Sequence, residues 1–431
     1  MSLPAQLSLC ILGVVIRAKD LCIWVSQMIA RLLVVLTSFA VLSTSSLAQQ
    51  HSERTIQEIK TEAIKRAENG MYPLIGLDAA DVREAFAFIH SKDKDEWAAA
   101  FMAVGDRYMA EGKQLQATDP AKADADYVRA WRIYSFGKWP IPASPKKQQS
   151  YEKAIQAFLA HARLWDPPLE VVHIPFENSQ IIGYLRLPKS STPVPLVIAV
   201  NGLDSRKEDV SESFSAITAS GIAFLAVDGP GTGQSPVKAS PNADRMLSRV
   251  IDYVQSRPEI DKNRLAVHGV SWGAYWATKL AIVECARLRG TSAQSPPIDE
   301  FFTKEFLTNS LLGNREYLFD QVPALMNIFD GVSNEDELAA ALENMSLVKQ
   351  GLLGKPMAPM LVIAGVKDTQ VPISDIYLLL SKGDTPKDAW INPAGGHLGR
   401  QVKVWPDPVI FRQVIIPWLV RTLATPSAPA S

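Results

Sequence analysis

The chain is poor in cysteine, and neither sign of charge is in excess. Its 431 residues include three cysteines, and 44 Lys and Arg side chains face 45 Asp and Glu, for a formal net charge of −1. Cys10 and Cys22 lie near the N-terminus, so Cys285 is alone in the rest of the chain. A disulfide framework and a metal site with Cys/His spacing are therefore not expected. With no Lys/Arg-rich run, the sequence also gives no indication of nucleic acid as a partner.

The N-terminal stretch has the pattern of a secretory signal peptide. Arg31 is followed by an apolar run of about eleven residues and then by Ser46-Leu47-Ala48, a small-x-small cleavage site. The run is too short for a comfortable transmembrane helix. We therefore interpret residues 1–48 as a presequence with its signal peptide at about 28–48.

The signal peptide predicts that the protein is exported. The mature chain is expected to begin near residue 49, to be periplasmic or secreted, and to have no stable membrane span after processing. The alternative is an uncleaved anchor, which a second apolar stretch at 7–16 would favour.

Two hydrophobic periods divide the mature chain. Over residues 52–166, aromatic and apolar side chains recur at three- and four-residue steps, which predicts a small helical N-terminal domain. From residue 169 the pattern is that of strands, first an antiparallel pair and then apolar runs such as 194–200 and 222–227 that alternate with helices. Strands that are apolar on both faces indicate an α/β fold over 169–424, with a doubly wound and mostly parallel sheet.

Two segments fall outside this alternation. Residues from about 296 to 352 are helical and irregular, which predicts a helical insertion in the sheet domain. Residues 425–431 are rich in Pro, Ala and Ser, and we expect them to form a disordered tail.

A Gly-x-Ser-x-Gly motif, Gly269-Val270-Ser271-Trp272-Gly273, connects an apolar strand to a helix. In so tight a turn, the flanking glycines let strand and helix approach, and the serine hydroxyl is lifted to the edge of the sheet. The N-terminus of the following helix also points backbone N–H groups at any negative charge that forms there. Ser271 is therefore the predicted nucleophile.

A serine nucleophile needs a base, and the base needs an acid that orients it. His397 lies in a glycine-flanked loop after a predicted strand and is the best of six histidines for the base. His268, inside the strand before Ser271, is interpreted as a packed or hydrogen-bonded histidine. Asp368 directly follows another strand and is the predicted acid, while Asp375, in the helix that comes next, competes with it.

The oxyanion of an acyl-transfer intermediate needs two N–H donors. Trp272, directly after the nucleophile, offers one. The other is expected from the loop after the strand at 194–200, where both Gly202 and Leu203 stay open with a slight preference for Leu203. The glycine-rich loop 228–235 does not open a helix as a dinucleotide site requires, so no cofactor is expected, and we interpret this loop as a wall of the active site.

With these motifs in place, residues 169–424 resemble the α/β-hydrolase superfamily through Gly-Val-Ser-Trp-Gly, Asp-Gly-Pro-Gly-x-Gly, Gly-x-x-Asp and Gly-Gly-His. Through segments 201–208 and 268–275, the mature chain is also similar to a narrower group with a helical N-terminal domain, which includes 2,6-dihydroxypseudooxynicotine hydrolase and the fermentation-respiration switch esterase. The resemblance implies a helical cap over the pocket, hydrolysis of a carboxyl ester or a carbon–carbon bond, frequent homodimers and no metal.

The chain departs from that group in two respects. The group is mostly cytoplasmic, whereas this chain carries an export signal. The strand expected after the nucleophile helix is also hard to identify in residues 289–295, which leaves the boundary of the cap, and hence the lining of the pocket, open.

The predicted function is that of a serine hydrolase, which cleaves a carboxyl ester or an activated carbonyl compound through an acyl-enzyme on Ser271, with His397 and Asp368. The partner is a small-molecule substrate. The aromatic side chains in 97–134 and at 301, 302 and 306 suggest an aromatic or apolar acyl group, although such residues are more often part of a hydrophobic core. One alternative is a prolyl-oligopeptidase-like peptidase, which would usually carry a β-propeller where this chain has helices. The other is a non-catalytic binding protein whose helical domain docks a partner.

Overall fold

Five helices open the part of the chain that the computed structural model describes, residues 53–424. They are α1 (Ile56–Glu68), α2 (Ala79–Phe86), α3 (Lys94–Leu115), α4 (Pro120–Lys138) and α5 (Pro145–Ala162). The three long helices begin where a side chain accepts from their first N–H groups: Asp93 for α3, Asp119 for α4 and Ser144 for α5. The predicted signal peptide and the predicted disordered tail lie outside the described residues.

Aromatic side chains fill the space between these helices. The rings of Phe101 and Phe136 meet edge to face with their centroids 4.9 Å apart, and Trp97 packs against both. Gly105 of α3 lies directly under the ring of Tyr134 on α4, since a Cβ at this glycine would be 2.6 Å from the ring. The aromatic residues at helical spacing thus build a core of their own.

An eight-stranded sheet follows, with the strand order β1-β2-β4-β3-β5-β6-β7-β8. The strands are β1 (Glu170–Phe176), β2 (Ser179–Arg186), β3 (Val194–Val200), β4 (Ala223–Val227), β5 (Ile260–Val270), β6 (Gly290–Gln294), β7 (Met360–Gly365) and β8 (Lys387–Asn392). β2 pairs antiparallel with β1 and with β4, and all other neighbours are parallel. The structure confirms the predicted fold class, an α/β-hydrolase fold with a doubly wound, mostly parallel sheet.

The remaining α-helices of at least four residues lie between or after these strands. They are α6 (Lys207–Phe214) after β3, α7 (Asp244–Ser256) after β4, α8 (Trp272–Val283) after β5, α9 (Gln321–Ile328) and α10 (Glu335–Glu343) between β6 and β7, α11 (Ile373–Ser381) after β7, and α12 (Asp407–Ile410) and α13 (Ile416–Ala424) at the end. α9 and α10 thus lie where the insertion at 296–352 is predicted. Among residues 53–424, no helix is long and apolar enough to cross a membrane.

The strand that is hard to identify from the sequence of residues 289–295 is present after α8. β6 lies there, in the sheet between β5 and β7. Its sequence lacks an apolar run, and two of its polar side chains make hydrogen bonds to buried partners. Ser292 Oγ lies 2.7 Å from His268 Nδ1, and Gln294 Nε2 donates to the carbonyl oxygen of Leu398 at 2.9 Å. Satisfied polar groups can be buried in a central strand, and hydrophobic patterning does not detect such a strand.

Candidate active site

Ser271 lies at the sharp turn between β5 and α8. Its backbone φ and ψ are 53° and −115°, a conformation that residues other than glycine rarely adopt. The flanking positions hold glycine because nothing larger fits. A Cβ on Gly269 would lie 2.1 Å from the carbonyl oxygen of Gly273, and a Cβ on Gly273 would lie 2.4 Å from that of Asn201. The turn therefore holds the Ser271 hydroxyl at the carboxyl edge of the sheet.

The structure brings Ser271, His397 and Asp368 together at this edge. His397 Nε2 lies 2.9 Å from Ser271 Oγ, and His397 Nδ1 lies 2.9 Å from Asp368 Oδ2. The second Asp368 oxygen accepts hydrogen bonds of 2.9 Å from the N–H groups of Gln370 and Val371, which fix the carboxylate. Asp368 follows β7 and His397 follows β8, so parallel strands deliver both side chains to the edge that carries the serine. This order of groups can take a proton from a hydroxyl and hold it on the imidazole.

The surroundings of His397 favour its protonated form. The residue is 8% exposed, and this burial is the largest influence and lowers the pKa of His397. The charge and hydrogen bond of Asp368, together with the charge of Glu316, outweigh burial and an opposing contribution from Arg400, so the pKa is raised above the usual value of a histidine. A higher pKa makes the imidazole a stronger base toward the Ser271 hydroxyl.

Asp375 and His268 have other partners. The Asp375 carboxylate accepts hydrogen bonds from the N–H groups of residues 298–301, and burial raises its pKa to about 6. The fully buried His268 is bonded to Ser292, and burial lowers its pKa to about 3. Asp375 thus anchors the beginning of the insertion, and His268 is a hydrogen-bonded core residue.

The backbone N–H groups predicted as oxyanion donors differ in whether they already donate a hydrogen bond within the protein. The Gly202 N–H donates to Ser205 Oγ at 2.9 Å and is therefore occupied. The Leu203 N–H donates to no acceptor within the described part of the chain. Trp272 is the first residue of α8, so its N–H has no acceptor within the helix. These contacts favour Leu203 over Gly202 as the donor beside Trp272, and the roles of all three amides stay predictions.

A cavity of about 700 Å³ opens beside Ser271. Its wall includes Tyr72 and Trp139 from the N-terminal region and Phe301 and Leu325 from the insertion. Both helical parts of the chain therefore contribute to the site, whose volume suits a small molecule. Within residues 53–424, no cluster of His, Cys, Asp or Glu side chains is arranged to hold a metal ion.

The interpretation of loop 228–235 as a wall of the active site is wrong. None of its residues lines the cavity beside Ser271. The Asp228 carboxylate instead binds the Nζ of the fully buried Lys207 at 2.9 Å. A Cβ on Gly231 would lie 2.5 Å from the carbonyl oxygen of Ile328, so the loop packs tightly against α9. The glycines of this loop permit the close packing, so we assign them a structural role in the core.

Glu316 is a residue of the site that the sequence did not reveal. Its Oε1 accepts a hydrogen bond from the N–H of His397, and its Oε2 accepts from the N–H and the Oγ of Thr369 at 2.9 and 2.7 Å. Thr369 directly follows Asp368, so one carboxylate binds both the loop of His397 and the loop of Asp368. The contact with His397 spans 81 positions of sequence, and no motif surrounds Glu316 that could have indicated it.

Sequence comparison relates the chain to esterases. A family model described as "Esterase FrsA-like" matches residues 91–392. The chain is 25% identical to esterase FrsA of Yersinia pestis over 279 residues, which are 63% of this chain and 66% of the esterase. It is 31% identical to α/β hydrolase ucsC of an Acremonium species over 240 residues, 49% of either chain. The match thus spans about half the length of the Acremonium hydrolase and slightly less than two thirds of the Yersinia esterase.

Solved structures of low sequence identity share the fold. The crystal structure of 2,6-dihydroxy-pseudo-oxynicotine hydrolase matches with a TM-score of 0.67 at 19% identity, over 81% of this chain and 94% of that one. AbyA5 matches with a TM-score of 0.64 at 18% identity, over 85% and 93%. The matched part of this chain is longer than its sheet domain in both comparisons, so the structural likeness extends into the N-terminal helices.

Proposed function

The chain belongs to the FrsA-like esterase family of α/β hydrolases, and from that premise we propose that it is a serine esterase that cleaves a carboxyl ester of a small molecule. The observation that carries the proposal is the hydrogen-bonded series from Ser271 through His397 to Asp368 beside a cavity of about 700 Å³. Hydroxyl, imidazole and carboxylate in this order are the nucleophile, base and orienting acid of acyl transfer.

In the proposed mechanism, His397 Nε2 takes the proton of Ser271 as its Oγ attacks the carbonyl carbon of the ester. The negative charge on the carbonyl oxygen is stabilised by the N–H groups of Trp272 and Leu203. The imidazolium, stabilised by Asp368, then gives its proton to the departing oxygen, so an alcohol leaves and an acyl-serine remains. A water molecule that loses its proton to His397 attacks the acyl carbon, which releases the acid and restores Ser271.

The cavity wall supports an aromatic or apolar acyl group. Phe301, Leu325 and Val371 provide apolar surface, and Tyr72 and Trp139 provide aromatic surface. Such surfaces bind an acyl group by removing it from water, at about 25 cal/mol per Å² of apolar area. The same steps would open an activated carbon–carbon bond next to a carbonyl, because only the leaving group differs.

Matched substrates separate this function from its alternatives. We expect the purified chain to hydrolyse p-nitrophenyl butyrate and p-nitrophenyl benzoate with a kcat/KM about 100-fold higher than that for Gly-Pro p-nitroanilide, since a phenolate leaves more readily than an aniline. The measurement is release of the coloured product. A comparable kcat/KM for the anilide would indicate a peptidase, and no turnover of any of the three would indicate a binding protein.

A further inference from the structure

Residues 314–318 of the insertion, here called the strap, bind both loops that carry the proposed base and acid. Glu316 accepts hydrogen bonds from the N–H of His397 and from the N–H and hydroxyl of Thr369. Asn314 strengthens the second contact, because its Nδ2 donates to the carbonyl oxygen of Thr369 at 3.0 Å and to its Oγ1 at 3.2 Å. The Oδ1 of Asn314 accepts from the N–H of Glu316 at 3.0 Å, which fixes the turn of the strap itself.

Two arginines from the beginning of the described chain bind the strap from the other side. Arg54, which precedes α1, donates to three carbonyl oxygens of the strap at 2.6 to 2.8 Å. Arg66 of α1, with a side chain only 7% exposed, donates to the carbonyl oxygen of Glu316 at 3.0 Å. The planar guanidinium presents five N–H donors in a fixed arrangement, which suits several carbonyl oxygens at once. A continuous set of hydrogen bonds therefore joins the first helix to the catalytic loops.

We propose that Glu316 is a positioning residue of the triad and that α1 holds it in place through Arg66 and the strap. The proposal rests on the proposed role of Ser271 as the nucleophile. The Glu316 carboxylate fixes the main chain of His397 on one side and of the residue after Asp368 on the other. It therefore sets the distance between base and acid, and a misplacement of about 1 Å costs about 100-fold in rate.

Glu316 also acts on His397 through its charge. Four groups act on the imidazole: the hydroxyl of Ser271 and the carboxylate of Asp368 contact the ring, and the carboxylate of Glu316 and the guanidinium of Arg400 act through their charges. Burial lowers the pKa of His397, the two carboxylates raise it and Arg400 lowers it. Since the base is active in its neutral form, removal of the Glu316 charge lowers this pKa and moves the acid limb of kcat/KM to lower pH.

The test compares two replacements of Glu316 over about pH 5 to 9 with p-nitrophenyl butyrate. Glu316→Gln loses the charge and one of two acceptors, so we expect kcat to fall about 10- to 100-fold with KM within about threefold, and the acid limb to move to lower pH. Glu316→Asp keeps the charge but is too short to reach both loops, so kcat should fall while the acid limb stays. Glu343→Gln, at a side chain 57% exposed and paired with Lys349, is the control and should change neither.

Ser271→Ala and Arg66→Lys complete the experiment. An active Ser271→Ala protein would overturn the proposed function itself. If Ser271→Ala is inactive and Glu316→Gln keeps the kcat and pH profile of the unmodified chain, the positioning role alone is overturned. Arg66→Lys is expected to lower kcat less than Glu316→Gln, and the double variant should lose less than the product of the single losses because both act through the strap. If the loss in the double variant equals the product of the two single losses, the proposed role of α1 in holding Glu316 would be overturned.

Discussion

Ser271→Ala is expected to reduce kcat for p-nitrophenyl butyrate by about 10³- to 10⁶-fold. The Oγ atom forms the bond to the acyl carbon in the proposed mechanism, and alanine has no atom that can replace it. The fold should persist, because alanine is smaller than serine and the glycines at 269 and 273 remain. Steady-state kinetics gives the loss, and thermal melting shows that the variant is folded.

A surface serine provides the matched control for this loss. Ser381, the last residue of α11, donates a hydrogen bond to the carbonyl oxygen of Leu378, and Ser381→Ala should keep full activity. If folded Ser271→Ala protein kept more than about a tenth of the original kcat, Ser271 would not be the nucleophile.

Asp368→Asn is expected to lower kcat by about 10⁴-fold with the fold intact. Asp368 Oδ1 accepts from the N–H groups of Gln370 and Val371, so the amide oxygen of asparagine should stay at that position. The amide nitrogen would then donate to His397 Nδ1 and force the ring proton onto Nε2. An Nε2 that carries a proton points a donor at Ser271 and cannot serve as its base. The pH dependence of kcat and the melting temperature, measured together, separate this loss from unfolding.

Asp375→Asn distinguishes the two candidate acids. The Asp375 carboxylate accepts from four successive N–H groups at 298–301, and an amide has one oxygen to offer them. We expect a melting temperature lower by several degrees, about the effect of 1 to 2 kcal/mol, with kcat of the folded protein within about threefold. The reverse pattern, with Asp375→Asn inactive and Asp368→Asn active, would transfer the role of the acid to Asp375.

Hydrophobic patterning predicted the sheet wherever burial and apolar character coincide. β3 is the clearest example, because the apolar run 194–200 is a strand that is buried at every position. β6 is the opposite example, since Thr291, Ser292 and Gln294 are fully buried although polar. The hydrogen-bond partners of Ser292 and Gln294 come from β5 and from the loop after β8, which are distant in sequence. A single sequence does not show such pairings, so this strand was missed.

The three residues of the proposed triad could be located from sequence because the fold orders them. Parallel strands end at one edge, so the loops that follow β5, β7 and β8 lie close together there, whatever the length of chain between them. The preference for Leu203 over Gly202 as an oxyanion donor rests on the hydrogen bond from the Gly202 N–H to the Ser205 hydroxyl, which a sequence motif cannot reveal. Glu316 could not be identified from sequence, because it reaches His397 only through the path that the insertion takes across the edge of the sheet. Tertiary packing alone determines that path.

Labelling of the full chain with a fluorophosphonate probe, followed by peptide mapping with mass spectrometry, tests the role of Ser271 most directly. A nucleophile activated by His397 should carry one adduct per chain, on Ser271, at a rate that falls when p-nitrophenyl butyrate is present and that vanishes in Ser271→Ala. An adduct on another residue, or a folded chain that takes no label, would contradict the role of Ser271 as the nucleophile.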